Sequence, residues 1–179
     1  MKKIVISFVK TGAVPSENIP MAPARREKYS SIKNESARDQ YAASSAAIYR
    51  VSGDNALTFR YGENGRPMVD TGFVSPAHTD GMAACAYCDV SVGLDIEKST
   101  RQLSAAMARR FGSLDNWLAL EACVKLTGEG LSGIRNYCRM GDVMLDKNGL
   151  PAARVAFFDH ENYRAAICCS EEFEIKIIE

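Results

Sequence analysis

The sequence has no surplus of either charge: among its 179 residues, 22 Lys and Arg balance 22 Asp and Glu. No global positive field argues for nucleic acid and no acidic excess argues for a solvating tail, so a charged ligand must be met by local clusters. Long apolar runs are missing as well. None approaches the roughly 18 residues that span a bilayer, and a soluble protein without a membrane partner is expected. The basic opening Met1-Lys2-Lys3 imitates a secretory signal, but only about six apolar residues precede Lys10 and no clean cleavage site follows. A first strand is the better reading. Six cysteines are too few for a secreted disulfide scaffold, and they sit in apolar surroundings, which points to a reducing cytoplasm. With 46% apolar and 25% charged residues, 13 Gly and 6 Pro, collagenous, low-complexity and wholly disordered chains are excluded.

What remains is about one domain's length, or two small lobes sharing a core. Thr11 to Pro23 reads as a surface loop. Asn34 to Tyr49 has the apolar spacing of a helix, with Ala37, Tyr41, Ser44, Ala47 and Ile48 on one side. Ala56 to Tyr61 looks like a strand, Gly62 to Pro67 a turn, and Met68 to Phe73 a short extended piece. Val74 to Gly81 reads as a loop carrying His78. Met82 to Cys88 and Val90 to Glu97 read as neighbouring strands of a hairpin. Helical spacing returns at Thr100 to Arg110, and again after Ser113, a good N-cap, up to Thr127 before Gly128. Strands are predicted at Met144 to Leu145, Ala152 to Phe158, Tyr163 to Cys169 and Phe173 to Ile178. The class is α+β.

Val92-Gly93-Leu94-Asp95-Ile96-Glu97 alternates along a strand, so Asp95 and Glu97 share one face while Leu94 and Ile96 share the other. On an exposed face such a pair is ordinarily just solvated. In the following helix Trp117, Glu121 and Lys125 form one stripe among apolar neighbours, and a carboxylate there is costly unless paired or bound to a cation. An i,i+4 ion pair of Glu121 with Lys125 is the plain alternative. Together Asp95, Glu97 and Glu121 offer three hard oxygen donors, a set suited to Mg²⁺ that completes its shell with water and substrate phosphates. Arg25, Arg26, Lys28, Arg38 and Arg66 form basic patches suited to phosphate.

Gly65-Arg66-Pro67, His78-Thr79, the string from Val92 to Glu97, Trp117-x-x-x-Glu121-Ala122-x-x-Lys125 and Gly128-x-Gly130-Leu131 follow one another in an order and spacing that resemble the 4′-phosphopantetheinyl transferase superfamily, in its larger, surfactin-synthetase-activating kind. The resemblance implies two similar α/β lobes in a pseudo-twofold arrangement, residues 1–90 and 91–179. It implies transfer of the phosphopantetheine arm of coenzyme A to a serine of an apo acyl or peptidyl carrier protein, by a monomer. Asp95, Glu97 and Glu121 would hold Mg²⁺, with Glu121 also helping to deprotonate the serine. Lys125 and His78, with Thr79 beside it, would contact the diphosphate. Arg25, Lys28 and Arg66 would receive the adenosine phosphate end, aided by Arg38. Two positions depart from the pattern: Leu120 stands where the family usually has Lys, and Ala77 where it usually has Ser.

Those departures keep a second function open, a coenzyme A-binding module with impaired turnover. A Mg²⁺-dependent phosphohydrolase is a third, weakened by the lack of a nucleophilic aspartate motif. Cys85-x-x-Cys88 lacks a partner pair, and its members face opposite sides of a strand, so core cysteines are expected rather than zinc ligands. Gly128-x-Gly130 ends a helix rather than opening a dinucleotide site. His160 reads as an exposed hairpin residue, and no serine hydrolase elbow is present.

Overall fold

The computed structural model describes residues 1–178. Strand β1 (Lys2–Lys10) leads through a loop to helices α1 (Pro23–Ser31) and α2 (Glu35–Ser52). A 3-10 turn at Gly53–Thr58 and the two-residue strands β2 (Arg60–Tyr61) and β3 (Pro67–Met68) precede the hairpin β4 (Phe73–Thr79) and β5 (Met82–Cys88). Then come β6 (Val92–Lys98), α3 (Ala105–Phe111) and α4 (Leu114–Thr127). Strands β7 (Tyr137–Met140), β8 (Val143–Asp146), β9 (Pro151–His160), β10 (Tyr163–Cys169) and β11 (Phe173–Ile178) close the chain. The protein is α+β, and none of its described helices is long and apolar enough to cross a membrane.

The larger strands form two sheets, ordered β11-β1-β5-β4 and β6-β10-β9-β8-β7. Period-two alternation decides which residues go where. Ile4, Ile6 and Phe8 of β1, Ala84, Ala86 and Cys88 of β5, Leu94 and Ile96 of β6, and Ala165, Ile167 and Cys169 of β10 fill one core where the sheets face each other. The opposite side of β5, with Ala83 and Cys85, is covered by the small residues of α2, Ala42, Ala43, Ala46 and Ala47. Ala166 and Cys168 of β10 meet Leu118, Ala122 and Cys123 of α4. Cys85 and Cys88 thus lie in different cores, as strand geometry requires, while Cys138, expected in apolar surroundings, is exposed.

The same order recurs in both sheets: a strand, a covering helix and a hairpin whose second strand pairs antiparallel with the first strand, as β1, α2, β4, β5 and then β6, α4, β9, β10. The chain passes from one sheet to the other between β5 and β6, near residue 90, but β11 returns and pairs parallel with β1, Lys2 opposite Phe173. A cut at residue 90 therefore leaves one strand of the first sheet in the second half.

Several local expectations need correction. Val90 to Glu97 is not the hairpin partner of Met82 to Cys88: β5 pairs with β4 and β1, and β6 with β10. Val74 to Thr79 is a strand, hidden in sequence by Pro76; a proline suits a strand at the end of its sheet. Of Ala56 to Tyr61 only Arg60–Tyr61 is strand, the first half being 3-10 turn with Ala56 and Phe59 buried under α2, and of Met68 to Phe73 only the two ends are extended, Met68 in β3 and Phe73 in β4. The third helix starts at Ala105, capped by Ser104, later than Thr100. His160 is half-buried, its ring stacked 4.0 Å from that of Phe8.

Candidate functional site

The site is built where β6, α4 and β4 meet. Helix α4 starts at Ser113, whose Oγ accepts from the Asn116 N–H at 3.2 Å, and ends on Gly128 in the left-handed conformation at φ 78°. It lies flush on β6 because Gly93 has no side chain: a Cβ there would sit 1.9 Å from the Ala122 carbonyl oxygen. Leu118, Ala122 and Leu126 are buried, whereas Trp117, Glu121 and Lys125 form the half-buried stripe that the spacing predicted. On the other side, the Leu94 N–H donates to Ser75 Oγ at 2.8 Å and ties β4 to β6.

Asp95 and Glu97 lie on the α4 side of β6, and both are buried, 5% and 9% exposed, rather than solvated. Asp95 Oδ1 pairs with Lys125 Nζ at 2.7 Å, and the same ammonium donates to the Leu94 carbonyl at 3.0 Å. Asp95 Oδ2 is buried with no hydrogen-bond partner. Beside it stands Glu121; burial, then the Asp95 carboxylate, push the Glu121 carboxyl up to about 8. Glu97 has both oxygens engaged, Oε2 accepting from Thr79 Oγ1 at 2.7 Å and Oε1 paired with Arg101, whose charge also reaches Glu121.

A pocket of about 270 Å³ opens beside this cluster, lined by Glu121, Val124 and Lys125 of α4, Ser75 and Pro76 of β4, and Arg66. Arg66 donates to Ser91 Oγ at 3.0 Å and to the Leu126 carbonyl at 3.1 Å, so it also caps the C-terminal end of α4. His78 is at the exposed end of β4. Burial, and then the positive charge of Lys125, lower its pKa, so the imidazole is neutral at pH 7.

The structure therefore gathers Asp95, Glu121 and Lys125, sets Glu97 next to them on the same strand face, and places Arg66 on the pocket wall. The other basic residues are elsewhere. Arg25 is 4% exposed, donating to Ser45 Oγ at 2.9 Å and lying 4.1 Å from the Tyr41 ring centre, and it does not line the pocket. Lys28 and Arg38 are exposed on α1 and α2, away from the pocket lining. Arg101 and the hydroxyl role of Thr79 were not read from sequence; the i,i+4 spacing of Glu97 and Arg101 is the signal that carried the former.

No three His, Cys, Asp or Glu side chains among the described residues already form a metal-holding group. Two of the carboxylates are already engaged, Glu97 by Thr79 and Arg101, and Asp95 Oδ1 by Lys125. A divalent cation nonetheless fits the donor set through the buried, unpartnered Asp95 Oδ2, with the Glu121 carboxyl beside it. Comparison with known proteins returns no matching family model and no curated relative.

Proposed function

We propose that the protein transfers the 4′-phosphopantetheine arm of coenzyme A to a serine of an apo acyl or peptidyl carrier protein, with Mg²⁺ held by Asp95, Glu97 and Glu121. The observation that carries this reading is the orphaned Asp95 Oδ2, buried beside Glu121 and Lys125, which line a pocket together with Arg66. Buried carboxylates gathered with cations next to a cleft are what phosphoryl transfer uses, because it needs positioning and charge neutralisation more than covalent help. When bound, the ion would offset the charge of the diphosphate and of the leaving group.

The chain's own residues supply the rest. Lys125, at the pocket edge, neutralises a phosphate oxygen. Neutral His78 offers a hydrogen bond without adding charge. Arg66 meets the nucleotide end of the pocket, and Arg25, Lys28 and Arg38 would serve the adenosine phosphate only from outside its present lining. The serine oxygen forms the new bond to phosphorus as the bond to adenosine 3′,5′-bisphosphate breaks, and the serine proton passes to Glu121, which would be ionised once the bound cation has displaced its own proton. The repeated strand, helix and hairpin order supports the pseudo-twofold relation of the lobes. A monomer acting on a transient carrier in the cytoplasm completes the reading.

One observation favours a weaker enzyme or a coenzyme A-binding module. Ala77 and Leu120 are buried, and the Thr79 hydroxyl, the nearest substitute for the missing serine in the chain, is committed to Glu97. Incubation with Mg²⁺, coenzyme A and several apo carriers, followed by intact-protein mass measurement, separates the two. Phosphopantetheine added to the carrier supports the transferase, and coenzyme A binding with no addition supports the module.

A further inference from the structure

Glu97 stands apart from Asp95 because both of its carboxylate oxygens are engaged, and its two partners differ in how firmly they are held. Thr79 belongs to β4, in register with Met82 of β5, and its Oγ1 donates to Oε2 at 2.7 Å. Arg101 pairs with Oε1 from the segment between Lys98 and Ala105, which lies outside the regular elements. Its backbone N–H donates to the Lys98 carbonyl at 2.9 Å, and its side chain is 37% exposed. No other partner of the guanidinium is found among the described residues. It can therefore rotate into water and leave no buried donor unsatisfied.

Glu97 has no such freedom. Its side chain is 12% exposed, and with Arg101 gone a buried negative charge would be left with a single hydroxyl, a costly state unless another cation arrives. The place for that cation is on the same strand face two residues back, where Asp95 Oδ2 is buried and unpartnered. We propose that Arg101 is a displaceable counter-ion: it holds Glu97 paired while the cluster lacks a metal, and it gives up Oε1 when a divalent cation binds Asp95 and Glu97. Arg101 is thus a positioning residue that competes with the metal. The proposal rests on the metal assignment above.

The competition predicts an effect opposite to that of losing a ligand. Removing the Arg101 charge removes the competitor, so the cation binds more tightly although a favourable-looking ion pair has been deleted. Mn²⁺ titrated into the full chain, with free ion read by electron paramagnetic resonance, reports this without any turnover. Arg101→Gln should bind Mn²⁺ about tenfold more tightly than wild type, the scale of a charge-assisted pair. Arg101→Lys should stay near wild type, and Asp95→Asn should abolish binding in either background. Mn²⁺ affinity equal to or weaker than wild type in Arg101→Gln, with wild type binding normally, overturns the counter-ion and leaves the metal assignment standing. Absence of Mn²⁺ binding by wild type and Arg101→Gln alike overturns both. Urea unfolding of each variant verifies that the chain is folded, and the exposed Arg101 side chain makes loss of fold an outcome confined to Asp95→Asn.

Discussion

Substituting Gly93 by alanine tests how α4 and β6 together hold the cluster. An added Cβ would lie 1.9 Å from the Ala122 carbonyl oxygen, 2.7 Å from the Leu126 nitrogen and 2.9 Å from the Ala122 carbonyl carbon. All three are backbone atoms of α4, so no side chain can rotate aside. Helix and strand must part by roughly 1 Å or more before the contact is tolerable. Overpacking of this kind costs about 3 kcal/mol, the upper part of its usual range, because the obstruction is main chain. In a chain of this length that lowers the melting temperature by about 6–12 °C. The same displacement stretches the 2.7 Å contact between Lys125 and Asp95 and shifts Glu121, and a 1 Å error in such groups costs on the order of 100-fold in turnover. Calorimetry and the carrier-loading assay measure the two effects. A Gly93→Ala protein that melts within a degree of wild type would refute the flush packing, and with it the reason these carboxylates meet.

Glu121→Gln should abolish carrier loading, at least 100-fold, while the fold persists, since it removes a buried group that charges only at a cost; turnover near wild type contradicts the assignment of Glu121. The pH dependence has a definite sign. The folded-state pKa of Glu121 is raised to about 8, so its contribution to stability is complete below the ordinary carboxyl range and is lost as pH climbs through about 8. In metal-free buffer the melting temperature of wild type relative to Glu121→Gln should therefore decline from pH 5 to pH 9, and a pH-independent difference speaks against it. Arg66→Ala removes the donor to Ser91 Oγ and the Leu126 carbonyl, which should cost about 2 kcal/mol and raise the apparent Kd for coenzyme A; unchanged urea midpoint and unchanged binding would remove Arg66 from both roles. Lys125→Met leaves the Asp95 charge without its cation and should destabilise by about 2–3 kcal/mol, a loss that Mg²⁺ partly restores; a variant as stable as wild type without metal contradicts that pairing.

Much of the fold was legible in local pattern. Ser113 and Gly128 marked both ends of α4, and strict alternation assigned Leu94 and Ile96 to one side of β6 and Asp95 and Glu97 to the other. What stayed hidden was set by distant parts of the chain. Nothing near Val92 says that it pairs with Cys169 rather than with the preceding strand, and nothing near Phe173 says that β11 crosses back to β1. Burial of Asp95 and Glu97 follows from α4 lying over β6, which sequence signals only through Gly93. Arg25 shows what a basic run does not reveal: its guanidinium is enclosed by Tyr41, Phe59 and the serines of α2. Composition could not distinguish those environments, because a guanidinium stacks on aromatic rings as readily as it binds anions.

On the function proposed above, Asp95, Glu97 and Glu121 share one divalent ion beneath the coenzyme A diphosphate. A crystal structure of the protein with Mn²⁺ and coenzyme A, phased on manganese anomalous scattering, tests it most directly. A single strong anomalous peak bonded to oxygens of all three carboxylates and to diphosphate oxygens is expected, with Arg101 withdrawn from Glu97. A peak elsewhere, or coenzyme A bound with Lys125 still on Asp95 and no ion between the carboxylates, would contradict it.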